Sequence, residues 1–186
     1  MQKLLLLSLI LFGGNLCAQE VTNGSREVEF FAQAGHSVAG GASDTSIFNA
    51  GARWGFGLFD LGRGSFQYEL EAIPIYFVRQ PIQNSYGVSF TPFDVKYNFR
   101  RNAARVIPFA ELGGGVLISR HDVPSGTNAV NFTPQAGVGL HLPFGDNHYH
   151  ATLGLKYVHI SNAGLSVPNP GLNTIQIRLG VGKFHK

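Results

Sequence analysis

The residues best suited to chemistry lie near the C-terminal end of the chain, in Tyr157-Val158-His159-Ile160-Ser161-Asn162-Ala163-Gly164 and in Pro168-Asn169-Pro170-Gly171-Leu172-Asn173. A serine, a histidine and a third polar group that orients the imidazole form the arrangement used for acyl transfer. Ser161 would attack an ester carbonyl while His159 takes and returns the proton, and Asn173 is the candidate orienting group. The backbone at Ala163 and Gly164, with the Asn169 side-chain amide, would supply the donors for an oxyanion. For the His-x-Ser pair alone, polar residues at a membrane surface are the simpler reading. Asn173, on a matching face of the next segment, turns the balance towards a triad.

Position depends on the elements that carry these residues. From residue 27 onward the dominant period is two, the signature of strands. In 46–58, Phe48, Ala50, Ala52, Trp54, Phe56 and Leu58 share one face, against Asn49, Gly51, Arg53, Gly55 and Gly57 on the other. Similar alternation in 65–78, 105–119 and 130–144, together with 27–36, 86–99, 149–161 and 173–184, predicts eight strands, with a bulge at Pro92. In 65–78 the apolar face is read as continuing through Pro74, Tyr76 and Val78. His159 and Ser161 share the face of Tyr157, Leu155 and Leu153, and Asn173 has the parity of Ile175, Ile177 and Leu179.

Composition says which face is which. The 186 residues are 44% hydrophobic and 12% aromatic, contain 24 Gly, and are only 13% charged, where about 25% is usual for a soluble chain. Aromatic richness excludes intrinsic disorder, and beyond residue 12 no apolar run is long enough to span a bilayer as a helix. A closed, eight-stranded antiparallel transmembrane barrel accounts for both facts, with apolar residues towards lipid and small or polar ones filling a narrow lumen. Arg53, Glu69, Glu71, Glu111, Lys156 and Arg178 are then expected to form an internal ion-pair network, and the filled interior argues against a solute pore. The connections alternate in length: 37–45, 79–85, 120–129 and 162–172 are the longer set and should face outside.

Residues 1–18 read as a secretory signal, with Lys3, an apolar core from Leu4 to Phe12 and a small-residue exit at Cys17-Ala18. Removing them would take away the only cysteine and leave residues 19–186 as a single barrel domain. No basic cluster exceeds Arg100-Arg101, so a nucleic-acid partner has no support. His148 and His150 share a strand face but have only Asp146 beside them, too few ligands for a metal site. No metal or other cofactor is expected.

The run His159-Ile160-Ser161-Asn162-Ala163-Gly164 with Pro168-Asn169-x-Gly171 resembles the signature of the PagL-type lipid A 3-O-deacylases, an acyloxyacyl hydrolase-like family of outer-membrane barrels. The resemblance is sharp over about 159–173, and the eight-stranded architecture extends it across the rest of the chain. It implies a serine esterase in the outer membrane of a Gram-negative bacterium that removes the 3-position hydroxyacyl chain of lipid A in lipopolysaccharide. His159 and Ser161 match the catalytic pair, and Asn169 matches the oxyanion-hole asparagine. One departure stands out: well-known members carry Glu where this chain has Asn173. If the site is deacylase-like, Asn173→Glu is expected to preserve or raise activity, and complete loss would make the asparagine geometry essential. Outer-membrane phospholipase A is similar in another way, with His-x-Ser-Asn and an Asn twelve residues after the serine, as Asn173 is here. Its barrel has twelve strands, too many for this length. A non-catalytic, structural barrel is the remaining alternative. Oligomeric state is left open by the sequence.

Overall fold

The structure, a computed structural model, describes residues 21–99, 106–145 and 149–185. The signal expected over 1–18, His148 and the Arg100-Arg101 pair lie outside the described residues. The described chain forms β1 (Arg26–Ser37), β2 (Ser46–Leu61), β3 (Gly64–Arg79), β4 (Ser85–Phe99), β5 (Ile107–Ser119), β6 (Val130–Phe132), β7 (Gln135–Phe144), β8 (Tyr149–Ile160) and β9 (Leu172–His185). Every neighbouring pair is antiparallel. β6 and β7 are two pieces of one stave, interrupted at Thr133-Pro134, and both pair with β5. Pairing of β4 with β5 and of β1 with β9 closes the sheet into an eight-stave barrel.

Alternation builds both surfaces of the wall. Outward positions carry Phe30, Trp54, Leu112, Val138, Leu153 and Leu179, all well exposed. Apart from the three-residue β6, the strands run ten to sixteen residues, enough for the roughly 9–11 that a tilted strand needs to cross the hydrocarbon layer. A continuous apolar belt on a closed sheet is the surface a bilayer requires, because closure leaves no backbone donor or acceptor unpaired in lipid. The chain is therefore a transmembrane β-barrel.

Inside, the expected ion pairs are present. Arg53 lies 3.1 Å from Glu69, 3.1 Å from Glu71 and 2.9 Å from Glu111. Lys156 meets Glu111 at 3.0 Å and Glu71 at 3.5 Å, and Arg178 contacts Glu71. The network extends further than expected: Lys96 joins Glu27 at 2.6 Å and Glu69 at 2.7 Å, and Asp94 and Glu29 are buried with it. Apolar layers lie at the two ends. Phe31, Ile47, Ile73, Tyr76, Leu117 and Ile160 belong to the cluster at the end with the longer connections, and Val21, Ile107 and Phe184 close the other.

Tyr76 and Val78 correct the expected pattern. Both point inward, because Pro74 and the exposed Ile75 face outward in succession and reverse the parity. The register shifts between Ile73 and Tyr76 against β4, as a bulge requires. The bulge expected at Pro92 is present, with a register shift between Phe90 and Phe93.

Arg53 is the hub of the network. Arg53→Met leaves Glu69, Glu71 and Glu111 short of a buried counter-charge, and a loss of about 3–5 kcal/mol is expected. Urea unfolding of the refolded barrel measures it; an unchanged midpoint would show that the remaining cations suffice.

Candidate active site

Tyr157, His159 and Asn173 meet on the outer wall, at the rim that carries the longer connections. β8 and β9 pair in the register that sets His159 directly across from Asn173. Parity keeps both off the lumen: Val158, Ile160 and Thr174 take the inward places. Ser161 follows one residue after β8, where its backbone bridges Phe132 of β6, with Phe132 N–H donating to Ser161 O at 2.8 Å and Ser161 N–H donating back at 3.1 Å. The serine is thus fixed by the sheet even though it stands past the end of the strand.

The hydrogen bonds at Asn173 determine the protonation pattern. Its Nδ2 donates to the backbone carbonyls of Gly40 at 2.6 Å and Ala39 at 3.3 Å. That orientation aims Oδ1 back at the strand pair, where the Tyr157 hydroxyl donates to it at 2.7 Å and His159 Nδ1 lies at 2.6 Å. An amide oxygen only accepts, so His159 Nδ1 carries the hydrogen and Nε2 carries the lone pair. This is the tautomer a general base needs. Among the described residues no hydrogen bond joins Ser161 Oγ to His159, a contact that in such sites commonly tightens only with substrate.

The 161–171 connection is stitched by Asn162. Its Nδ2 donates to Ser166 Oγ at 2.8 Å and Ser166 O at 3.2 Å, while its Oδ1 accepts from Gly164 N–H at 2.9 Å. Asn162 N–H in turn donates to Asn169 Oδ1 at 3.2 Å, which directs the Asn169 amide group away from that contact. Gly164 N–H is therefore already engaged, and Ala163 N–H and Asn169 Nδ2 remain as the donors without an acceptor among the described residues. Ala163 sits at a φ of 55°, a left-handed conformation that costs a non-glycine residue energy and tends to occur at functional turns.

Three features of the site go beyond what the sequence pattern shows. Tyr157 has the parity of a wall residue and shares it with His159, the one sequence signal of its place in the site. The Ala39-Gly40 carbonyls belong to the β1–β2 connection, and no local pattern links them to residue 173. Gly171 has a φ of 67°, and a Cβ there would lie 2.8 Å from His159 Cε1. The backbone thus packs against the imidazole edge through a position where only glycine fits.

The same hydrogen bonds bear on an acid of the same length as Asn173, that is, on Asn173→Asp. A carboxylate in the place of this amide would press an oxygen against the Gly40 carbonyl oxygen instead of donating to it.

The sequence model of a family described as lipid A 3-O-deacylase (PagL) matches residues 37–182. No curated protein sequence matches the chain. Among solved structures it is similar to the outer membrane enzyme PagL, with a TM-score of 0.67 at 20% identity, over 82% of this chain and 97% of that one. It is also similar to the N-terminal β-barrel domain of Pseudomonas aeruginosa OprF (TM-score 0.57, 17% identity, 88% of this chain, 98% of that one). Neisserial surface protein A gives a TM-score of 0.58 at 15% identity, over 88% of this chain and 99% of that one. At such identities these likenesses speak for the fold.

Gly171→Ala combines an unfavourable φ with a collision against His159. Displacing the imidazole by about 1 Å is expected to cost on the order of 10²-fold in ester hydrolysis, with the urea midpoint of the barrel little changed. An active Gly171→Ala variant would mean that the imidazole edge is free to move.

Proposed function

The chain belongs to the PagL lipid A 3-O-deacylase family, and on that premise we propose that it is an outer-membrane serine esterase that hydrolyses the 3-hydroxyacyl ester of lipid A. The observation that carries the reading is the Tyr157–Asn173–His159 hydrogen-bond chain on the lipid-facing side of the wall. Polar groups there are expensive unless they work, and the acyl chains of an outer-leaflet lipid lie beside that wall. A nucleophile facing outward needs no pore to reach them.

In the proposed reaction Ser161 Oγ attacks the ester carbonyl and its proton passes to His159 Nε2. The imidazolium so formed is stabilised through Nδ1–H by Asn173 Oδ1, whose negative end is strengthened by the two backbone carbonyls that accept from Nδ2. Asn169 Nδ2 and Ala163 N–H are the proposed donors to the oxyanion. Collapse of the tetrahedral intermediate releases the sugar hydroxyl, protonated by His159, and leaves the acyl group on Ser161. Water, deprotonated by His159, then frees the hydroxy fatty acid and restores the serine. A neutral orienting group in place of an acid does not stop this sequence; it lowers the charge stabilisation of the imidazolium, which the Asn173 network partly replaces.

Mass spectrometry of lipid A from Gram-negative cells expressing the wild type is expected to show loss of one hydroxyacyl chain, and Ser161→Ala should abolish the change. Unchanged lipid A with fatty acid released from phospholipid would move the substrate to phospholipid. Neither product would leave a structural barrel.

Two further variants test the orienting group in the same assay. Tyr157→Phe removes one hydrogen bond to Asn173 and should slow turnover roughly 2- to 10-fold. Asn173→Asp is expected to fall below wild type, since its carboxylate meets carbonyl oxygens. Activity equal to or above wild type would restore the view that any acceptor suffices at this position.

A further inference from the structure

At the barrel end opposite the candidate active site, Glu27 and Glu29 of β1, His141 of β7 and His150 of β8 converge inside the lumen, all fully buried. One donor atom from each lies within 4.8 Å of all the others. The individual spacings are telling. His150 Nε2 is 3.1 Å from Glu27 Oε1 and 3.6 Å from Glu29 Oε2, and His141 Nε2 is 3.9 Å from Glu27 Oε1. Ligands bound tetrahedrally at about 2.0–2.1 Å from a zinc ion are about 3.3 Å apart, so these side chains need only small shifts to share one ion.

Their hydrogen-bonding state points the same way. Glu27 Oε1 and both His150 nitrogens are buried without a hydrogen-bond partner, even though the 3.1 Å approach brings two of them together. The two atoms are 3.1 Å apart in an ion-pair contact that leaves room for a shared third partner. His141 is set by its neighbours: Thr152 Oγ1 donates to Glu29 Oε2 at 2.8 Å and so accepts from His141 Nδ1, 3.0 Å away. His141 Nε2 therefore presents a lone pair, and its tautomer is fixed by an outer hydrogen bond, as is usual for metal-binding histidines. Lys96 Nζ also faces that lone pair at 3.3 Å, but it is held more closely by Glu27 Oε2 at 2.6 Å and Glu69 Oε1 at 2.7 Å. It would keep both carboxylates when a metal takes His141.

Charge supplies the independent argument. Six buried carboxylates, Glu27, Glu29, Glu69, Glu71, Asp94 and Glu111, face four buried permanent cations, Arg53, Lys96, Lys156 and Arg178. The difference is two negative charges in a lumen closed to water, an excess that is costly unless balanced. One divalent cation balances it.

We propose that Glu27, Glu29, His141 and His150 bind one divalent cation of the zinc class, a structural ion that ties β1, β7 and β8 together at the base of the barrel. Phe109 and Phe184 pack on the two imidazoles and wall the site off from solvent. The ion is therefore acquired as the barrel closes and released only when it opens.

The test is metal analysis of the full barrel, expressed without a histidine tag and refolded in detergent with either Zn²⁺ or EDTA. Refolding with Zn²⁺ should give about one zinc per chain that EDTA fails to remove from the folded barrel, and a higher Tm than refolding with EDTA. Glu29→Gln and His150→Gln should each bring zinc down to background, while Ser161→Ala keeps it. Background zinc in the wild type, or the same Tm with and without Zn²⁺, overturns the proposal, and neither reading depends on a variant folding. Zinc retained in full by both ligand variants overturns it as well.

Discussion

A strand that crosses lipid has to hand every backbone donor and acceptor to a neighbouring strand, and in a sheet of limited width only closure does that for the first and last strands. Here the closing seam runs between β1 and β9, paired from Arg26 with His185 to Ser37 with Thr174. The seam does more than complete the wall. It carries the β1–β2 connection to the end of β9, where Val38 N–H donates to Asn173 O at 2.8 Å and Ala42 N–H donates to Gly171 O at 2.9 Å. The Ala39 and Gly40 carbonyls that orient Asn173 are held there by the same pairing. Candidate catalysis and barrel closure thus use one set of backbone hydrogen bonds.

Closure also creates the energetic problem of the interior. Once the lumen is sealed by apolar layers at both ends, a charge inside it cannot be solvated, so each must find partners across the barrel. Arg53 reaches carboxylates on β3 and β5, and Lys96 on β4 reaches β1 and β3. Of these contacts, Arg53–Glu111 and Lys96–Glu27 hold staves that are not neighbours in the sheet, while the contacts to Glu69 and Glu71 join adjacent ones. A pair of this kind adds little net stability when made, yet removing one partner is costly because the other stays buried. The network is better understood as fixing which staves face each other than as a source of cohesion.

The parity of the strands was readable from sequence because one face must be apolar and the other small or polar. Parity places His159 and Asn173 outward and Arg53 and Glu111 inward, and a proline within a strand pattern marks the bulge at Pro92. Parity failed at Tyr76 and Val78, since two successive outward residues at Pro74 and Ile75 leave an apolar alternation that looks continuous. Glu27, Glu29, Asp94 and Lys96 are not legible as lumen residues for a related reason: their segments are less regular, and a charge in a weak pattern does not announce its face. Contacts between distant segments were beyond reach altogether. Nothing in the order of residues brings Gly40 within 2.6 Å of Asn173; the register of the closing seam does.

Asn173 and the β1–β2 connection are a matched pair. An amide has a donating and an accepting end, and both are used. The donating end is anchored on two carbonyls, so the accepting end is held towards His159 without any need for charge. An aspartate carboxylate has no donating end, so in the place of this amide it would set an oxygen against the Gly40 carbonyl unless the connection moved. Tyr157 adds the other half of the design, donating a second hydrogen bond to the oxygen that faces the imidazole. Charge is exchanged for geometry: what an acid would supply by attraction alone, this chain supplies by fixing an amide between one strand pair and one loop.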